Sequence, residues 1–283
     1  MPPRTTPTQR QKRLGAEVRK MRTSAGMTAE HAAGLLGVDR GKISNFESGI
    51  RNISPERLRA LATHCECTDE RYVDALAELA TFPQRNWWDE YREKLASGFL
   101  DIAELEWHSR RIQTIQTVHI PGLLQTEDYA RSVFGAVLPA FSRLEVELHV
   151  AHRMDRQRVL SREQPLGYTG YVHESALRMR FGGREVTKQQ LSSLIEAGER
   201  DNVTVRIVPI ERGSFPGAGH ALLYAESAVA QLDTVQLDSA HGPEFTYTEE
   251  QLAKYRAHLD WMDEACLSVK ASQDVIHSII HEL

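Results

Sequence analysis

At 283 residues, 41% apolar and 26% charged, the chain has the composition of a soluble globular protein long enough for two domains, each with its own core. No apolar run approaches the length of a membrane span and the first residues lack a signal-peptide core, so a cytoplasmic location is expected. The net charge of −5 hides an asymmetry: residues 1–64 carry 12 Lys+Arg against 5 Asp+Glu, or +7, while the remainder carries 22 against 34, or −12. A basic end on an acidic body is compatible with a polyanionic partner that meets one end only.

Residues 1–9 are rich in Pro and Thr and are expected to form a disordered arm. A first helix is predicted over about Gln9 to Ser24, with Leu14, Val18 and Met21 inward and Lys12, Arg13, Arg19 and Lys20 left for solvent or phosphate. A short helix follows from Thr28 to Leu36, with Thr28 as its cap and small Ala32 and Ala33 for close packing. Gly37 makes a sharp turn. The next helix opens at Asp39, a good N-cap, and stops at Gly49. Ile43 and Phe46 share its inner face, leaving Arg40, Gly41, Lys42, Ser44 and Asn45 outside. Arg and Lys donate to guanine edges or phosphate, Asn pairs with an adenine edge, and Ser donates to phosphate. Gly41 points to close backbone approach. A plain helical hairpin is the competing reading, and the spacing, the turn glycine and the polar outer face together weigh against it. Ser54 and Pro55 start a fourth helix running to His64, and a fifth is predicted from Thr68 to about Thr81.

These residues carry a resemblance. The pattern Leu14…Val18-Arg19…Arg22…Gly26-Met27-Thr28, then Leu36-Gly37-Val38, then Ile43-Ser44…Glu47…Gly49 resembles the phage-repressor (Cro/C1, XRE-type) helix-turn-helix family over residues 10–80. The resemblance implies double-stranded DNA as partner and an ion pair between Arg22 and Glu47; Thr28 and Arg19 are further candidate DNA contacts. One departure stands out: the family's Gln after the helix-starting Thr is Ala29 here, so that DNA contact is missing.

Beyond the head, Pro83 ends the fifth helix and Gln84-Arg85-Asn86 is a plausible joint. Trp87 and Trp88 open a helical stretch to about Leu95 that Gly98 interrupts; adjacent tryptophans more often mark a packed junction than a ligand site. Strands are predicted at 111–120, 167–173, 203–210, 221–224, 234–237 and 244–247. Helices are predicted at 126–134, 142–161 (with Leu144, Leu148, Ala151 and Val159 on one side), 187–200, 248–266 and 272–281. The expected fold is an all-α helix-turn-helix head of five helices followed by an α+β C-terminal domain. Its divisions are an arm at 1–9, a DNA-binding domain at 10–82, a helical junction at 83–110 and a regulatory domain at 111–283. The body is similar to the uncharacterised C-terminal domain (DUF5753-like) of many actinobacterial helix-turn-helix regulators. The blocks that carry this are Glu104-Leu105-Glu106, Ile120 to Ala130, His173 to Arg178, Asn202 to Val205 with Pro209, and Phe215-Pro216-Gly217. The resemblance implies a transcription factor, often encoded beside a small partner protein.

Catalytic signatures are scarce. There is no Gly-x-Ser-x-Gly elbow, P-loop or Gly-x-Gly-x-x-Gly after a strand. The pairs His277/His281 and His149/His152 have metal-ligand spacing, but without a surrounding Cys or carboxylate set they read as surface histidines. Glu104, Glu106, Glu127 and Glu174 read as solvated or structural. Three cysteines, Cys65, Cys67 and Cys266, in Cys-x-Cys rather than Cys-x-x-Cys spacing, read as reduced thiols. No cofactor and no metal is expected, and no enzyme. The loop 211–220, with three glycines and a proline, reads equally as a ligand site or a structural connection. A concave ligand or partner site is expected between Pro121-Gly122-Leu123-Leu124-Gln125, with exposed leucines and a helix N-terminus, and Phe215-Pro216-Gly217. The expectation overall is a sequence-specific DNA-binding transcriptional regulator, a homodimer modulated through its C-terminal domain by an effector. The alternative is an antitoxin-like protein whose C-terminal domain chiefly binds a small cognate protein.

Overall fold

Each helix of the N-terminal region begins where a side chain can accept an orphan backbone amide. In the computed structural model, which describes residues 6–81, 86–216, 221–239 and 241–283, α1 (Gln9–Ser24) starts in a capping box. Thr8 Oγ1 accepts from the Gln11 amide at 3.3 Å and Gln11 Oε1 accepts from the Thr8 amide at 2.9 Å. Thr8 thus caps a helix where an arm was expected to be unstructured; residues 1–5 of that arm lie outside the described residues. Thr28 caps α2 (Ala29–Leu35), Asp39 caps α3 (Arg40–Glu47), and Ser54 caps α4 (Pro55–His64) with Pro55 in its first turn. For α5 (Glu70–Leu79) the cap is Asp69, not Thr68: its carboxylate accepts from the Tyr72 amide at 3.0 Å. The five helices bury Leu14, Val18, Met21, Ile43, Phe46, Leu58, Leu61 and Leu76. The sequence pattern leaves Arg13 for solvent or phosphate. It is buried instead, 3.1 Å from Glu17, whose other oxygen accepts from the Tyr72 hydroxyl. Pro83, Gln84 and Arg85 lie outside the described residues.

The chain divides into two compact units, residues 1–89 with 228–231 and residues 90–227 with 232–283. Trp87–Tyr91 is a 3₁₀ turn rather than the start of a helix to Leu95. Then α6 (Ser97–His108) carries Gly98 in its first turn without interruption. The glycine answers a close approach: a Cβ there would stand 2.6 Å from Pro243 Cγ.

The second unit is built on one six-stranded sheet. Its strands are β1 (Arg111–Gln116), β2 (Gly167–His173), β3 (Val203–Val208), β4 (Leu222–Glu226), β5 (Thr234–Ser239) and β6 (Gly242–Thr246). The order is β3-β2-β1-β4-β5-β6. The first three strands run parallel, with Ile112 opposite Tyr168 and Tyr168 opposite Val203; the last three add antiparallel. Alternation assigns the faces. Ile112, Tyr168, Val172, Val205 and Leu223 pack with α7 (Glu127–Gly135), α9 (Glu174–Arg178), α10 (Gly183–Ala197) and α12 (Val269–Glu282). Ile115, Tyr171, Val208, Leu222, Tyr224 and Val235 pack with α11 (Glu249–Ala265). The arrangement is α+β, as the periodicities predict.

One helix shows a different face from the expected one. In α8 (Arg143–Arg156), Leu144 is 71% exposed and Ala151 is exposed, while Val146, His149, Val150, His152 and Arg156 are buried. The two histidines are therefore core residues and not surface ones. His149 Nδ1 sits 2.7 Å from the Glu145 carbonyl and its ring stacks on Phe141 at 4.6 Å; the His152 ring meets Tyr91 edge-on at 4.9 Å. Stacking and hydrogen bonding make burial of these rings tolerable where hydrophobicity alone favours the leucines.

Candidate nucleic-acid interface

The outer face of α3 is the best-formed candidate surface of the first unit. Asp39 Oδ1 accepts from the Lys42 amide at 2.8 Å, which starts the helix and, by that hydrogen bond first, lowers the Asp39 pKa. Gly37, at φ 61°, makes the turn from α2. Ile43 and Phe46 are buried, 1% and 5% exposed. Arg40, Gly41, Lys42 and Ser44 are exposed and Asn45 is half-buried. Thr28 and Arg19 are also exposed, with Thr28 Oγ1 accepting from the His31 amide at 3.1 Å. Lys42 Nζ lies 3.5 Å from Asp39 Oδ2; in so exposed a pair it remains available to another anion.

The frame behind that face is tight. Arg22 Nε and Nη2 donate to Glu47 Oε1 and Oε2 at 2.5 and 3.1 Å, and Nη1 donates to the Met27 carbonyl at 2.6 Å. Both side chains are 11% exposed, and the Glu47 hydrogen bond raises the Arg22 pKa. One guanidinium thus joins α1, the approach to α2 and the last residue of α3. Gly15 adds a constraint that the sequence pattern does not name. A Cβ there would stand 2.5 Å from the Glu47 carbonyl oxygen and 2.7 Å from that of Phe46, so a glycine is what lets α1 lie against the end of α3. Its signal was available only as a glycine inside a helical pattern, which marks close packing without naming the partner.

The second expected site is corrected. Leu123 and Leu124 are 4% and 5% exposed and belong to the core of the sheet face that includes Tyr168. Pro121 and Gln125 are buried and Gly122 is half-buried. The Thr126 amide, expected to attract an anion, donates to Gln190 Oε1 at 2.7 Å, and Gln190 Nε2 donates to the Leu124 carbonyl at 2.8 Å. Phe215 packs on the other face of the sheet, edge-on to Trp261 at 6.1 Å and to His173 at 5.6 Å; Pro216 is half-buried, and Gly217 lies outside the described residues. The two segments therefore flank opposite sides of the sheet and form no common cleft among the described residues.

The carboxylates are also dispersed. Glu106 pairs with Arg156 at 2.6 Å, Glu127 with Arg131 at 2.5 Å, and Glu174 with Arg178 at 2.8 Å; Glu104 is buried. Among the described residues no group of three His, Cys, Asp or Glu side chains is placed to hold a metal ion, and no helix is long and apolar enough to cross a membrane.

Comparison with known proteins agrees with this division. A family model described as a helix-turn-helix domain matches residues 13–76, and one described as a domain of unknown function (DUF5753) matches residues 99–278. No curated protein and no solved structure matches the chain. The helix-turn-helix domain points to DNA binding and fits a non-enzymatic regulator. The second match spans more than half of the 283 residues, and the chain belongs to the DUF5753 family, with a helix-turn-helix domain preceding that domain.

Proposed function

We propose that the chain is a sequence-specific DNA-binding transcriptional regulator of the Cro/C1 (XRE) kind, acting as a homodimer with α3 of each copy in the major groove of one half-site. Arg40 and Asn45 contact base edges; Lys42, Ser44, Thr28 and Arg19 hold the phosphate backbone; Gly41 allows close approach. Residues 10–82 bind DNA, 83–110 connect, and 111–283 modulate the activity. The observation that carries this reading is the polar, exposed face of α3 held from behind by the Arg22–Glu47 pair. Footprinting on the DNA upstream of the protein's own gene tests it. A protected, two-fold symmetric site is expected, and uniform non-specific protection at every sequence would refute specific recognition.

A second reading, in which the C-terminal domain chiefly binds a small cognate protein, is favoured by Leu138 and Leu144, 89% and 71% exposed at the α7–α8 connection and the start of α8. Co-expression with the product of the adjacent gene and co-purification at fixed stoichiometry supports it. Loss of that complex on Leu144→Glu places the contact, and failure to co-purify removes the reading while leaving DNA binding untouched.

A further inference from the structure

Arg153, in the last turn of α8, is a guanidinium with no carboxylate paired to it among the described residues. Among the described residues its one hydrogen-bond acceptor is a neutral amide oxygen, Gln125 Oε1, at 2.5 Å from Nη1. Its Nε is buried and has no hydrogen-bond partner among the described residues. Its flat face lies 4.4 Å from the Phe134 ring centroid. The contrast with its neighbour is instructive: Arg156, one turn on, is buried in a two-point ion pair with Glu106, at 2.8 and 2.6 Å. Glu106 is therefore already engaged, and its charge and that of Asp238 reach Arg153 only as longer-range attraction. Burial first, and the like charge of Arg156 second, pull the Arg153 pKa below its ordinary value. A charge this deep is ordinarily matched by an opposite one.

Arg153 is not wholly sealed from solvent. Although Arg153 is deeply surrounded by protein atoms, the residue keeps accessible surface, as do His119 and Gly122. Gly122 lies alongside: a Cβ built on it would stand 3.6 Å from the guanidinium carbon, an ordinary contact distance. A side chain longer than hydrogen at this position would occupy the approach to the cation.

We propose that the second unit binds an oxyanion, the carboxylate or phosphate group of a small molecule, on the guanidinium of Arg153 beside Gly122. Arginine's planar fork matches both groups, as Arg156 shows in holding Glu106 at two points. The proposal is independent of the DNA reading, because binding is measured on the full chain without DNA.

The probes are inorganic phosphate and succinate, each titrated calorimetrically and in thermal melts against sodium chloride at matched ionic strength. Saturable binding and a raised melting temperature with one probe are expected, and the probe that saturates identifies the group. Phosphate also attracts the basic first unit, so the signal that counts is the part lost in Arg153→Met. Gly122→Asp supplies the anion from within the chain: it is expected to raise the melting temperature of the free protein by about 2–4 °C and to abolish the response. Absence of saturable binding by either probe, or its retention in Arg153→Met, overturns the proposal. Should Arg153→Met fail to fold, Gly122→Asp decides: an unchanged response overturns the site and a lost response with a higher melting temperature supports it.

Discussion

Two exposed cations one helical half-turn apart are expected to do different things on DNA. In the proposed complex Arg40, at the start of α3, contacts a base edge, and Lys42, already beside Asp39, a phosphate. Arg40→Ala is therefore expected to cost about 1–3 kcal/mol of operator affinity and to relax preference at one base pair. Lys42→Ala should weaken all sequences alike and flatten the salt dependence. Binding isotherms on operator and scrambled duplexes over a salt series separate the two, and wild-type behaviour in both variants would mean that α3 is not the reading helix. Glu47 acts at one remove. It is 11% exposed and holds two donors of Arg22, so Glu47→Gln leaves a largely buried guanidinium short of its counter-charge. A loss of about 3 kcal/mol is expected in denaturant melts, against about 0–1 for an exposed pair. A wild-type midpoint would show that the pair contributes nothing. In the second unit, burial first and Arg156 second pull the His152 pKa down to about 3. The folded pKa lies below the unfolded value near 6.5, so the folded state resists the proton that the unfolded chain accepts. Its stability is complete above about pH 6.5 and falls as the pH drops from there toward 3, by at most about 1.4 kcal/mol per pH unit. Melts at pH 7.5 and 5.5 should show this fall in the wild type and less of it in His152→Gln; equal falls in both would assign it to other groups.

Helices that are set by local chemistry are legible in the sequence, and those set by distant partners are not. The caps Thr28, Asp39 and Ser54 act on amides three residues away, and so α2, α3 and α4 start where the sequence places them. The inner face of α8 depends on Glu106 and Tyr91, far away in the chain, and on Phe141 just ahead of the helix, so apolar counting points to Leu144 and misses His149, His152 and Arg156. The same holds for Leu123 and Leu124. Whether a leucine pair at a turn is exposed or buried is decided by what lies above it, here the core that Leu191 and Leu194 bring from α10. For the candidate interface the outward residues of α3 were legible, whereas Gly15, which seats that helix, was not, because its meaning is a distance to another element. That distance yields an element-scale expectation. Gly15→Ala drives a methyl into the carbonyls of Phe46 and Glu47, which are backbone and cannot swing aside. A cost of about 1–3 kcal/mol is expected, with reduced operator affinity as α3 is displaced. Gly34→Ala on α2, where an added Cβ meets nothing within 4 Å, is the control and should be neutral or slightly stabilising. Equal melting temperatures for the two variants would refute the close seat of α1 on α3.

The proposed dimer on DNA rests on how little one copy of α3 could read. α3 is eight residues long, and at about 1.5 Å per residue it spans roughly 12 Å, only about four base-pair steps of duplex. The preceding helix, α2, lacks the glutamine contact that the resemblance to phage repressors implies, since Ala29 stands there. Four base pairs occur far too often in a genome to define an operator, so specific control needs a second reading helix. The charge of the chain limits compensation by non-specific attraction: the +7 of residues 1–64 pulls toward phosphate while the −12 of the remainder is repelled by it. A symmetric pair of copies meets the first of these limits, because two reading helices double the contacted sequence. The expected complex holds two chains per duplex, with half-site centres about 34–36 Å apart or a multiple of that spacing. Sedimentation of the protein with a defined operator fragment gives the stoichiometry, and inserting five base pairs between the half-sites tests the geometry. The insertion rotates one half-site to the opposite side of the duplex and should abolish cooperative binding, while ten inserted pairs restore the facing. A single chain bound per operator, with affinity indifferent to either insertion, would rule out the dimer and leave recognition to one copy of α3.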